Sequence, residues 1–264
     1  MNIKDIHQDD QRTKDWRIER LGKFTGSRIS DLMVSGKKKD EVFGSTAKAL
    51  IYEVMAERDL SSATISDESI WDKYLDLTTA HSKPMQFGTD NEQDAIDAFE
   101  DWLHSQETIE IPVALAAPMA DDPVVTTHMV TFQTSDLEVL RGGSQDHPSI
   151  ANFSASPDAV VYCIDTGEVV AVVETKVPLP KTYMLYRSEV RDADSLKAVN
   201  PGYYYQTHAE MMVTVTTACF FVCYEPFLIH SRHIARIDAN PDTIALIEQR
   251  LALAEEYINN LSNE

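Results

Sequence analysis

The chain of 264 residues has no apolar run approaching the ~20 residues that a helix needs to cross a bilayer. Its first twenty residues are polar and charged, so no signal peptide is expected and a cytoplasmic setting is the default. Cysteine is scarce. Cys163, Cys219 and Cys223 are the only three, an odd number without a Cys-x-x-Cys pair, which argues against a disulfide framework or a zinc site. All three lie in apolar, strand-like stretches and are expected in the core. Positive charge is also short: 23 Lys and Arg stand against 43 Asp and Glu, for a net charge of −20. That balance argues against broad electrostatic capture of nucleic acid, where phosphate contacts dominate. It does not exclude a nucleic-acid substrate, which responds to the local field of a cleft. No internal repeat or low-complexity segment is present.

Apolar residues make up 43% of the chain, an ordinary globular content, and the length suits one large α/β domain with insertions. The most informative stretch runs from Ser156 to Pro178. Ala159-Val160-Val161-Tyr162 and Val169-Val170-Ala171-Val172-Val173 flank the polar turn Asp165-Thr166-Gly167-Glu168, the pattern of a β-hairpin. Asp158 stands where the first strand begins. Glu174 and Lys176 stand where the second ends, two apart and so on one face. Two carboxylates and an ammonium can therefore converge. Carboxylates suit a hard divalent cation, and the main-chain carbonyl of Thr175 offers a further oxygen. Such a cation polarises a phosphoryl oxygen and acidifies a bound water. Lys176 would orient that water or stabilise developing charge. Each piece alone has a plainer reading: Asp after Pro as a turn residue, Glu-x-Lys as a solvated strand end.

Elsewhere, residues 1–16 read as polar and loosely packed. Ser27 is a candidate N-cap for a helix carrying Ile29, Leu32 and Met33, and with Thr25 and Arg20 it forms a candidate anion site. Lys37-Lys38-Lys39 reads as a basic loop. Residues 45–58 form an amphipathic helix, and 59–83 a polar, irregular insertion with a short helix near Trp71 to Leu77. Thr89-x-x-Glu92 has the spacing of a capping box, with Glu92 reaching the cation site as the alternative. Ile109 to Ala116 and Val124 to Phe132 are candidate strands, Arg141 to Pro148 a loop, and Leu179 to Asn200 a polar helical segment. A helix from Tyr203 places Tyr203, Gln206 and Glu210 on one face. A strand spans Ala218 to Tyr224, with Ile229 to Ile237 as its possible partner, and a final helix covers 241–261.

Asp, a turn, five apolar residues and Glu-x-Lys resemble the signature of the PD-(D/E)XK nuclease superfamily. Within it the chain resembles the phage lambda exonuclease-type alkaline exonucleases, the YqaJ family. Five blocks carry that likeness in order: Arg20-Leu21-Gly22 with Thr25 and Ser27; Phe87-Gly88 with Glu92; Ser156-Pro157-Asp158; Glu174-Thr175-Lys176 with Pro178; and Tyr203 with Gln206. Phe221 to Pro226 is a weaker sixth. The resemblance implies a restriction-endonuclease-like α/β core, a central mixed β-sheet flanked by helices. It implies a single nuclease domain over 1–264 with insertions near 59–83 and 113–150. It also implies a Mg²⁺-dependent enzyme, with Mn²⁺ able to substitute, that digests the 5′-ended strand of linear double-stranded DNA and leaves a 3′ single strand for recombination. Carried over, Asp158, Glu174 and the Thr175 carbonyl bind metal, Glu92 supports a second metal through water, and Lys176 activates or positions the attacking water. Gln206 joins them as a catalytic residue, and Arg20, Thr25, Ser27, Ser156 and Tyr203 as DNA- or phosphate-binding residues. The family further implies a ring-shaped homotrimer on DNA ends, a single-strand annealing partner, and a bacterial or phage-infected host cell. Ala159 departs from the glycine usual after the Asp. The alternatives are another nuclease of the superfamily, an endonuclease or an iron–sulfur exonuclease for which the cysteines are too few, and a catalytically silent DNA-end-binding module.

Overall fold

The structure, a computed structural model, describes residues 1–7, 12–38, 41–79, 82–114 and 127–262. Helix α1 (Lys14–Arg20) is capped by Thr13, whose hydroxyl accepts from the Trp16 amide at 3.3 Å. Strand β1 (Phe24–Thr25), a 3₁₀ turn (Gly26–Arg28) and α2 (Ile29–Leu32) follow, then α3 (Ser45–Arg58), α4 (Ser62–Ser66), α5 (Glu68–Thr78), α6 (Lys83–Asp90) and α7 (Glu92–His104). Strands β2 (Thr108–Ala114), β3 (Thr127–Gln133), β4 (Leu137–Arg141), β5 (Gln145–Asp146), β6 (Phe153–Ala155), β7 (Ala159–Cys163) and β8 (Val169–Lys176) come next. The chain closes with α8 (Pro180–Glu189), α9 (Ala193–Val199), α10 (Pro201–Thr214), β9 (Ala218–Tyr224), β10 (Arg232–Asp238) and α11 (Pro241–Ser262).

The expected hairpin is the centre of a five-stranded mixed sheet of order β10-β9-β8-β7-β4. β7 pairs antiparallel with β8, Ala159 opposite Val173, and β8 pairs parallel with β9, Glu174 beside Phe221. A parallel pair needs a long crossover, and α8, α9 and α10 supply it. β8 is buried on both faces except at Lys176, which is why it reads as a continuous apolar run rather than an alternating one. Val160, Val172 and Phe221 pack on one face against Tyr183, Tyr186 and Tyr204 of α8 and α10. Val161, Val173 and Phe220 pack on the other against Ile96, Phe99 and Leu103 of α7. By strand alternation Glu174 and Lys176 continue the face of Val172, so the charged end of β8 lies under α10.

Several expectations change. Residues 1–7 are fastened rather than loose: the Ile3 amide donates to the Gly167 carbonyl at 2.6 Å, the Val169 amide to the Met1 carbonyl at 3.0 Å, and Ile6 is buried. Ser27 lies inside the 3₁₀ turn, and Thr25 holds the position before it without making a side-chain cap. The capping box at Thr89 does not form, because α6 runs through to Asp90 and the Thr89 hydroxyl donates to the Met85 carbonyl at 3.1 Å. The stretch 59–83 is more regular than expected. It carries α4, α5 and the start of α6, with Trp71 buried. β5 interrupts the loop expected over 141–148, and Cys163 is half-buried while Cys219 and Cys223 are core residues, all three free. Lys39, the segment 115–126 and residues 80–81 lie outside the described residues, and with them the ends of two candidate strands and part of both insertions.

Candidate active site

The β7–β8 register decides the site. With Ala159 opposite Val173, Asp158 meets the end of β8, where the Thr175 amide and hydroxyl each donate to its Oδ2 at 2.7 Å. Glu174, 1% exposed, accepts at Oε1 from the Lys176 ammonium and from Gln206 Nε2 at 2.6 Å. The same Gln206 nitrogen donates to Glu210 Oε1 at 2.9 Å. The ammonium also lies 4.7 Å from the centre of the Tyr203 ring. Asp158, Glu174, Thr175, Lys176, Tyr203 and Gln206 are therefore one cluster, and Glu210 joins it from the next turn of α10.

Burial beside Glu174 perturbs the protonation of Asp158 and Glu210. Burial, then the neighbouring Glu174, pushes Asp158 up to about 8. Burial and Glu174 drive Glu210 well above the ordinary carboxylate range. Burial disfavours the Lys176 ammonium, but Glu174 and Asp158 outweigh it and hold the group above its ordinary value. Lys176 is thus a fixed cation here and not a proton acceptor.

A cavity of about 500 Å³ opens on this cluster. Its wall includes Arg12, Arg20, Ser27, Glu92 and Ser156 as well as the β8 and α10 residues. Arg20 Nη1 donates to the Ser156 hydroxyl at 2.5 Å, and the guanidinium stacks 4.2 Å from the centre of the Trp16 ring. Burial, with Arg28 nearby, lowers Arg20 to about 10, so it remains charged at neutral pH. Arg20, Ser27 and Ser156 thus share one wall. Thr25 is not part of it: its side chain is buried beside the Ser154 strand position, and among the described residues neither hydroxyl finds a hydrogen-bond partner. Glu92, the first residue of α7, faces the cavity and is held by Arg12 and Arg141 at 2.7 and 2.8 Å.

The donor set bears on the cation that the sequence implies. Among the described residues no three Asp, Glu, His or Cys side chains stand together as a complete metal cage. Yet Oε2 of Glu174 and Oε2 of Glu210 are buried at the cavity wall with no hydrogen-bond partner among the described residues. A native fold rarely leaves such oxygens orphaned unless something else satisfies them. Two carboxylates with a main-chain carbonyl and open positions for water suit Mg²⁺, which keeps several waters and needs few protein ligands. The residues fit the ion.

Sequence reasoning missed Glu210, Arg12, Arg141 and Trp16 as participants. The i, i+3 and i+7 spacing of Tyr203, Gln206 and Glu210 already put the acid on the right face. No local signal marks the two arginines.

Compared with known proteins, the chain matches the pattern of the YqaJ-like viral recombinase domain over residues 15–217. Among solved structures, an alkaline exonuclease (LHK-Exo) from Laribacter hongkongensis aligns with a TM-score of 0.59 at 24% identity, over 95% of this chain and 97% of that one. The same protein in complex with dAMP aligns equally. A phage related exonuclease from Haemophilus somnus 129PT aligns at 0.54 with 13% identity, over 91% and 95%. At these identities the likeness establishes the fold, a PD-(D/E)XK-type α/β core. No curated protein matches.

Proposed function

The chain belongs to the YqaJ-like viral recombinase family, and on that premise we propose that it is a divalent-metal-dependent nuclease that shortens the 5′-ended strand of linear duplex DNA. The product is a 3′ single strand suited to recombination. The observation that carries this reading is the convergence of Asp158, Glu174 and Lys176 on a cavity that Arg20, hydrogen-bonded to Ser156, also lines. The cavity volume is in the range of a small-ligand pocket, and the alkaline exonuclease from Laribacter hongkongensis was solved with dAMP.

Each residue has a role in this proposal. Asp158, Glu174 and the Thr175 carbonyl would hold Mg²⁺, with Mn²⁺ as a substitute and Glu92 supporting a second ion through water. The bound cation supplies Lewis acidity and an acidified water. Lys176, a fixed ammonium, positions the attacking water and neutralises charge that builds on the phosphoryl oxygens. Tyr203 backs that ammonium. Gln206 bridges Glu174 and Glu210 by donating to both. Arg20 binds a terminal phosphate through its planar fork, with Ser27 and Ser156 as hydroxyl donors. Thr25, its side chain buried away from the cavity, has no phosphate-binding part in this proposal. We further propose one nuclease domain over 1–264, with the segments 59–83 and 113–150 as insertions, a homotrimeric ring on the DNA end, and a single-strand annealing protein as partner.

The test is digestion of end-labelled linear duplex with Mg²⁺ or EDTA, alongside a covalently closed circle. Shortening of the 5′-ended strand only, only with metal, with the circle intact, is expected. Cutting of the circle at a similar rate would replace the exonuclease with an endonuclease. Stable binding of DNA ends with no cleavage under any divalent metal would leave a silent end-binding module.

A further inference from the structure

Glu92 sits between two arginines that arrive by unrelated routes. Arg12 Nη2 donates to Glu92 Oε2 at 2.7 Å, and Arg141 Nη2 donates to Glu92 Oε1 at 2.8 Å. Arg141 comes from the end of β4, paired with Ala159 and so next to Asp158. Its Nη1 also donates to Gln93 Oε1 at 2.8 Å. Arg12 comes from the segment leading into α1, the helix that carries Arg20. Its backbone holds φ +72°, a left-handed conformation that disfavours a side chain. Such outliers gather where function requires them.

The burial of this group is lopsided. The Glu92 side chain is 8% exposed, while those of Arg12 and Arg141 are 41% and 43% exposed. Two cations on one anion leave an excess positive charge beside the cavity, which Arg12 and Glu92 line, on a chain whose net charge is −20. Acidic residues predominate overall, so the positive charge needed by a polyanionic substrate has to be concentrated near the site. Arg20 sits deep in the wall and Lys176 is tied to Glu174. The two accessible guanidiniums on Glu92 are the ones positioned for an incoming strand, and a planar fork suits phosphate oxygens as well as it suits a carboxylate.

Resting on the nuclease reading above, we propose that Arg12 and Arg141 form a backbone clamp for the DNA strand. Glu92 parks both guanidiniums in the unliganded protein, and strand phosphates take them over on binding. The handover also frees the Glu92 carboxylate to face the cavity. Glu92 is then a positioning residue for the clamp as well as a wall of the site.

The experiment is duplex binding in EDTA, followed by fluorescence anisotropy across a salt series, so that no cleavage intervenes. Each phosphate contact contributes about 0.9 to the slope of log affinity against log salt. Arg12→Gln and Arg141→Gln should each lower that slope by about this amount, and the double variant by about twice as much, with melting temperatures checked in parallel. Lysine at both positions should restore the slope. Glu92→Gln should bind DNA more tightly than the wild type, and adding both Arg→Gln changes should erase that gain. A folded double Gln variant with an unchanged slope would overturn the clamp, because the arginines would then serve Glu92 alone. If the double Gln variant does not fold, Glu92→Gln decides: no gain in affinity overturns the clamp. Wild-type protein that binds no duplex would sink the nuclease reading itself, a different failure from normal wild-type binding with insensitive variants.

Discussion

Replacing Asp158 with Asn should make the metal-free protein more stable than the wild type in alkaline solution and not in acid. Burial and Glu174 raise the Asp158 carboxyl from 3.8 to about 8. Between those two values the folded protein holds a proton that the unfolded chain has released. Folded-state proton binding in excess makes stability fall as pH rises. The loss begins above the unfolded value and is complete above pH 8. At about 1.4 kcal/mol per pH unit the whole span amounts to ~6 kcal/mol, and the part between pH 6 and pH 8 to ~2–3 kcal/mol. These figures belong to the coupled cluster rather than to Asp158 alone. Asn carries no such proton, so the melting temperature of the variant should gain on the wild type by ~5–10 °C over that interval, at ~2–4 °C per kcal/mol for a chain of this size. Scanning calorimetry or dye-monitored melting in EDTA at pH 6, 7, 8 and 9 measures it. Mg²⁺ should reverse the order, since a ligand that binds only the folded state stabilises it and the wild type alone keeps both carboxylates. A gap between variant and wild type that does not move with pH would refute the stored repulsion on which the argument depends.

The same protons must leave before a cation can bind, so nuclease activity should climb with pH through about 8 in a pH–rate profile at fixed Mg²⁺. Lys176→Ala should reduce cleavage of linear duplex by ~10²-fold or more while leaving end binding measurable, and unchanged digestion would remove Lys176 from the mechanism. Arg20→Gln should abolish any preference for 5′-phosphorylated over 5′-hydroxyl ends in paired rate measurements; a preference that persists would place the terminal phosphate elsewhere. Gly142→Ala would put a Cβ 2.4 Å from the Pro157 carbonyl oxygen, forcing the Pro157-Asp158 backbone to shift. A destabilisation of ~1–3 kcal/mol with a larger loss of activity than of stability is expected from denaturant melts and rate assays.

The hairpin and its charged mouth were legible because both signals are local. β-branched runs around a Thr166-Gly167 turn fix the strands, and a two-residue step fixes which side chains share a face. Gln206 and Glu210 were legible in position for the same reason, but the isolation of the Glu210 and Glu174 outer oxygens was not, because it arises only when α10 closes over β8. The Arg12–Glu92–Arg141 group joins residues 80 and 49 positions apart and leaves no spacing to read. Ser27 was placed by helix-capping logic, which fails where a 3₁₀ turn precedes the α-helix. The firmness of residues 1–7 depends on Ile6, with Met1 and Ile3 beside it, packing on a core built mostly of β8, β9, α8 and α10 side chains, a long-range contact that a short polar stretch does not announce.

β8, the middle strand of the five, is hydrogen-bonded to an antiparallel neighbour, β7, along one edge and to a parallel neighbour, β9, along the other. Its main-chain groups are shielded from solvent from both edges, and its side chains are wedged between two hydrophobic layers. Amide protons along Val172–Thr175 should therefore rank among the slowest in the molecule to exchange with deuterium, reporting on global rather than local opening. Helices α4–α6 contribute no strand to that ladder, so the alignment of Glu174 with Asp158 does not depend on their backbone hydrogen bonds. The chemistry is bolted to the last piece of the protein to melt, and adaptability is left to the parts that greet the substrate.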